Sequence, residues 1–159
     1  MTSRQDTTEL INSDKMYNGW QQVEKEITFD GGTTNAIGDH DGTNDPFDIF
    51  TVTGTVRLKL IGVCTTTLVG ASATLEVGVT GTTAGIIAQT TGTDIDVNEI
   101  WHDASPDAGV EAESVLVEKI VANSLNVIGT VGTANITAGV IKFFCMWRPL
   151  SEDAEVTPA

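Results

Sequence analysis

The densest run of ligand-forming side chains is Asp39-His40-Asp41-Gly42-Thr43-Asn44-Asp45-Pro46-Phe47-Asp48. Calcium takes about six to eight oxygens, and a loop rich in Asp and Asn can supply them. Asp39, Asp41, Asn44, Asp45 and Asp48 are the candidate ligands. The spacing is not that of an EF-hand: the glycine comes too early, no glutamate closes the loop and no helices flank it. The same residue types also build ordinary turns, so the run reads first as a loop and second as a calcium site.

A second polar run, Trp101-His102-Asp103-Ala104-Ser105-Pro106-Asp107, holds the residue types of a hydrolytic triad. A triad needs serine, histidine and acid to converge on one atom, with a strained nucleophile turn or an oxyanion hole beside them. No G-x-S-x-G is present, and near neighbours in sequence seldom point at one reacting atom. Trp101 reads instead as a plug for the end of the domain, with Asp103 or Ser105 capping local backbone. A zinc or iron site would need more than two histidines in separate loops, His40 and His102, with the cysteines placed in strands. There is no P-loop and no dinucleotide fingerprint. No residue is assigned a catalytic role, and the chain reads as a non-enzyme.

These loops need a frame, and Thr55-Val56-Arg57-Leu58-Lys59-Leu60 shows its kind. Val56, Leu58 and Leu60 alternate with Thr55, Arg57 and Lys59, the period of a strand with one dry and one wet face. Thr53-Gly54 before it reads as a bend or bulge. Ala73, Leu75, Val77 and Val79 alternate in the same way, and Thr80-Gly81 turns the chain into a hairpin partner at 82–89. Further strands are expected at 27–29, 47–52, 113–122 and 125–130, with an edge segment at 94–97. In Val140-Ile141-Lys142-Phe143-Phe144-Cys145-Met146-Trp147 both phases are apolar except for Lys142. Such a strand is central and covered on both sides, by its own domain or by a second subunit. Pro149 ends it.

The pattern predicts an all-β antiparallel sandwich of about eight strands, jelly-roll-like, at 27–150. Residues 1–26 read as a flexible N-terminal arm and 151–159 as an acidic C-terminal tail. Within the arm, Met16, Trp20 and Val23 have helical spacing, so 14–26 is expected to form a short helix weakened by Gly19. The cluster Met16, Tyr17 and Trp20 suits an arm docked on its own domain or on a neighbouring subunit.

The 159 residues carry 22 acidic and 8 basic side chains, a formal charge of −14. Nucleic-acid affinity rests mainly on Lys and Arg neutralising phosphates, so this balance argues against nucleic acid and against an anionic membrane surface. The opening residues lack the apolar core of a signal peptide, and no run of about 18 apolar residues exists. Cys64 and Cys145 are therefore expected as reduced core residues, on neighbouring strands.

The Gly/Thr-rich strands, the phrases FDIFTVTGTVRLKLIGVCTTTL and NEIWHDASPDAG, and the ending IKFFCMWRPLSEDAEV resemble small virion structural proteins of tailed bacteriophages. The likeness runs over about Ile27 to Val156. It implies a capsid decoration, or cement, protein: a β-sandwich, a homotrimer, partnered by itself and by the major capsid protein, made in the host cytoplasm and carried on the virion surface. Met16, Tyr17, Trp20, Phe144, Met146 and Trp147 are the candidate oligomer or capsid interface. The alternative is a tail- or fibre-associated module that binds a host glycan through threonine hydroxyls beside Trp101 or Trp147.

Overall fold

The computed structural model describes residues 19–159. In chain order the strands are β1 (Gln21–Thr28), β2 (Phe47–Thr53), β3 (Val56–Val69), β4 (Thr74–Val79), β5 (Thr82–Thr91), β6 (Glu99–Trp101), β7 (Asp107–Ala108), β8 (Lys119–Val121), β9 (Val127–Gly132), β10 (Ala138–Pro149) and β11 (Glu155–Pro158). They form two antiparallel sheets. One runs β1-β10-β3-β6-β7, with β8 also on β3; the other runs β11-β2-β9-β4-β5. If β6, β7 and β8 are taken as one broken strand and β11 is set aside, consecutive strands alternate between sheets, except at the β4–β5 hairpin, in the order of a jelly roll. The all-β sandwich read from the alternation is therefore the fold. The strand count is higher than about eight because one strand position is broken and one strand is added at the end.

The period-two pattern decides which side chains meet. Val56 and Leu58 are fully buried on β3 while Arg57 is exposed beside them. Leu75 and Val77 do the same on β4. Gly54, at φ 68°, carries the chain from β2 in one sheet to β3 in the other. A side chain there would strike Ser151 and Asp153, so glycine is needed for space as well as for φ.

β10 lies between β1 and β3. Its inner phase, Ile141, Phe143, Cys145 and Trp147, is core; its outer phase, Val140, Lys142, Phe144 and Met146, is half-buried. Cys64 and Cys145 are free and buried on these adjacent strands, opposite Ile141 and Leu60 and not opposite each other. Burial pushes the Cys145 thiol up to about 12, which leaves it no thiolate for chemistry.

Four expectations are corrected. Gln21 to Glu26 are not helical: β1 pairs with β10 from Gln21↔Trp147 to Thr28↔Val140. Val23 and Ile27 turn towards the core while Gln22, Glu24 and Glu26 face water, so period two overrides the helical spacing of Trp20 and Val23. The segment 151–159 is not a free tail, because Glu155 to Pro158 add to the edge of β2 and bury Val156. Residues 113–122 do not make one strand. A 3-10 turn, Glu113–Val115, precedes the short β8, and the segment 94–97 follows another, Gly92–Asp94, without strand pairing. The expectations for Met1 to Asn18, including Met16 and Tyr17, lie outside the described residues.

Candidate functional site

The acidic loop does not gather its five candidate ligands around one point. Asp39 Oδ2 accepts from the Asn35 N–H at 2.8 Å, and Asn44 donates its amide to the Asn35 carbonyl at 2.6 Å. Asp45 Oδ1 accepts from the Val131 N–H at 2.9 Å, while Asp48 faces the Asn126 amide at 3.4 Å. Asp41 lies 3.4 Å from His40 Nε2. The His40 ring also meets the Asn135 side-chain oxygen, a contact that raises its pKa. These contacts are what hold a long turn-rich loop in one shape.

Asp45 offers a pH test. Burial is the main cause that raises its carboxyl above the ordinary range, and the Val131 N–H opposes it. A raised carboxyl pKa means the fold disfavours the charged form, so the cost appears as pH rises through the carboxylate range. Asp45→Asn keeps the acceptor for Val131. It is expected to melt above the parent at pH 7 and with the parent at pH 3; thermal melts at the two values decide.

The second polar run is more convergent than its sequence suggests. β6 and β7 form a hairpin with Glu99 opposite Ala108 and Ile100 opposite Asp107. Trp101, fully buried, donates its indole N–H to Thr90 Oγ1 on β5 at 2.8 Å and so ties the two sheets together. It plugs the sandwich as expected, and Asp103 Oδ1 caps the Ser105 N–H at 2.7 Å. With Trp101 fixed, the next side chain, His102, is only 7 % exposed. Its Nε2 lies 3.1 Å from Glu111 Oε2 and 3.3 Å from Asp107 Oδ2, and its Nδ1 lies 3.9 Å from Asp103 Oδ2. The Asp107 and Glu111 carboxyls are also within hydrogen-bonding reach of each other. That contact raises the pKa of Asp107, while the His102 hydrogen bond lowers that of Glu111.

Glu111 was no part of the expected grouping. The signal that could have found it is the spacing His102, Asp107, Glu111 read with a hairpin closing between 101 and 107. No serine hydroxyl hydrogen-bonds a histidine among the described residues, so the run is not assembled as a triad.

Beside this cluster the sandwich is open. β5 ends one sheet and the 113–121 segment borders the other, leaving a groove of about 190 Å³ between Ala84, Ile86 and Ala88 on one side and Val115 and Val117 on the other, with His102 and Asp103 in its wall. Val117 and Ile120 are 65 % and 68 % exposed, and Val110, Val115 and Leu125 are exposed near them in sequence. Of the expected interface residues, Phe144 and Met146 sit half-buried on the outer face of β10. Trp147 turns the other way and is 2 % exposed, so it belongs to the core. Trp20 is half-buried, with Arg148 over its ring at 4.5 Å and Lys59 at 5.4 Å. Trp101 and Trp147 are both unavailable for stacking on a sugar.

The chain matches no family model, no curated protein and no solved structure.

Proposed function

We propose that this chain is a non-enzymatic virion structural protein of a tailed bacteriophage: a capsid decoration protein that sits on the major capsid protein as a homotrimer. The observation that carries the reading is the apolar rim on the open side of the jelly roll. Exposed Val115, Val117 and Ile120 beside the edge of β5, unpaired among the described residues, are surface that a monomer seldom leaves to water. A second copy of the same chain is the occupant that closed symmetry supplies most simply. The β frame also suits a part that must be stiff, and the likeness of its phrases to small phage structural proteins supports the virion setting. The glycan-binding alternative has less support, because the tryptophans proposed for it are buried.

Two measurements test the reading. Light scattering on a sizing column is expected to give the mass of a trimer. The pair Val117→Asp and Ile120→Asp is expected to give a monomer that melts within a few degrees of the parent, because both side chains are already exposed. A monomeric parent removes the trimer, and absence of the protein from purified mature particles removes the virion assignment.

A further inference from the structure

We propose that His102, Asp107 and Glu111, with Asp103 behind the imidazole, bind a divalent first-row transition metal of the Zn2+ class. The site is independent of the virion reading.

Three features carry it. The first is geometry. Ligands about 2.1 Å from a metal stand roughly 3.0 Å apart in an octahedral site and roughly 3.4 Å apart in a tetrahedral one. Two carboxylate oxygens at 3.1 and 3.3 Å from Nε2 have that spacing. His102, Asp103 and Asp107 also present ligand atoms within 4.8 Å of one another. The imidazole is nearly buried, so its direction is set by packing and by the Trp101 anchor.

The second is charge. Three carboxylates surround one imidazole, and among the described residues no lysine or arginine forms an ion pair with Asp103, Asp107 or Glu111. One N–H on Nε2 serves one of its two acceptors fully. A divalent cation serves both.

The third is support and access. Asp103 lies on the Nδ1 side of the ring, where the carboxylate that orients a metal-binding histidine stands. Its other oxygen is already held by the Ser105 N–H. The Asp107 and Glu111 side chains are 37 % and 19 % exposed, so an ion can reach them from solvent and keep water ligands. The imidazole favours Zn2+ and its neighbours over Ca2+ and Mg2+, which prefer all-oxygen sites.

Chelator-treated full-length protein, titrated with ZnCl2 in a calorimeter, is expected to bind one ion per chain. Saturating Zn2+ is expected to raise the melting temperature by several degrees, since the ion binds the folded site and not the dispersed ligands of the unfolded chain. The double variant Asp107→Asn, Glu111→Gln is expected to bind about 100-fold more weakly. Without metal it is expected to melt near the parent, because it loses both the unfavourable carboxylate pair and the favourable His102–Glu111 contact. The pair Asp39→Asn, Asp41→Asn, changed in the other acidic loop, is expected to bind as the parent does. The assignment is overturned if the parent shows neither binding heat nor a melting shift. It is also overturned if Asp107→Asn, Glu111→Gln binds within threefold of the parent, or if Asp39→Asn, Asp41→Asn abolishes binding. A larger shift with Ca2+ than with Zn2+ overturns the metal class.

Discussion

Trp101→Ala is expected to destabilise the fold by about 3–5 kcal/mol, the range for emptying a large aromatic site in a core. For a domain of this size that is a fall in melting temperature of roughly 10 °C. The ring is fully buried, its centroid is 6.2 Å from that of Phe143, and its N–H reaches Thr90 on the opposite sheet. Alanine removes the packing and the only side-chain hydrogen bond Thr90 receives from Trp101. Thr90 itself stays satisfied, because its hydroxyl can still donate to the Ala88 or Asp103 carbonyl. The loss is therefore mostly a cavity. Trp101→Phe separates the parts: it refills most of the space without the N–H and is expected to cost roughly half as much. Urea unfolding of both variants measures this. If Trp101→Ala unfolds within 1 kcal/mol of the parent, the tryptophan does not hold the sheets together and the position of His102 needs another cause.

The legible part of the fold was the part where one period ran without competition. The alternation of Val56, Leu58 and Leu60, and that of Ala73, Leu75 and Val77, predicted buried faces that the sandwich uses. Asn123-Ser124, the gap between the strands expected at 113–122 and 125–130, is a turn in which both residues take positive φ. The failures came where two patterns overlapped or where burial depended on a distant strand. Gln21 to Ile27 carry both a helical and a strand spacing, and only the free edge of β10 selects the strand. Glu155 to Pro158 look like a solvated acidic tail until β2 supplies the hydrogen bonds. Val115, Val117 and Ile120 look like core by composition, yet they lie on the open rim of the sandwich. That rim is the kind of surface whose partner no single chain can reveal from its own pattern.

The site shows the same division. His102, Asp103 and Asp107 were visible as residue types, and Asp103 as a local cap. Their convergence depends on the β6–β7 register, in which Ile100 stands opposite Asp107. Glu111 then arrives by the return of the chain after β7. In the other acidic loop the opposite happens: a suggestive spacing is spent on backbone donors such as Asn35 and Val131, which lie on the loop's own turns and on β9. A jelly roll hosts many activities, so the fold does not choose between a decoration protein and a binding module. Under the proposed reading the exposed apolar rim is the surface for a protein partner, while Trp101 and Trp147 are buried and offer no ring to a sugar.

A second large effect is expected from a single methyl group. Gly129 lies in β9 between Phe47 of β2 and Val77 of β4. A Cβ built there would stand 2.3 Å from Phe47 Cζ and 2.7 Å from Cε2, far inside contact distance. The Phe47 ring is buried and meets Phe29 edge-on, with centroids 5.8 Å apart and planes at 84°. It cannot swing away without breaking that pair. Gly129→Ala is therefore expected to cost about 3 kcal/mol, the upper end for overpacking. Gly32→Ala is the matched control: nothing lies within 4 Å of its Cβ, so it is expected to be neutral or slightly stabilising. Phe47→Leu shortens the side chain that the new methyl strikes. In the double variant Gly129→Ala, Phe47→Leu the two costs should not add, because the methyl then occupies space the ring has left. Denaturant unfolding of the four proteins of this cycle measures the coupling. Strict additivity would mean that the ring is not what excludes a side chain from position 129, and that the strain lies in the backbone of β9 instead.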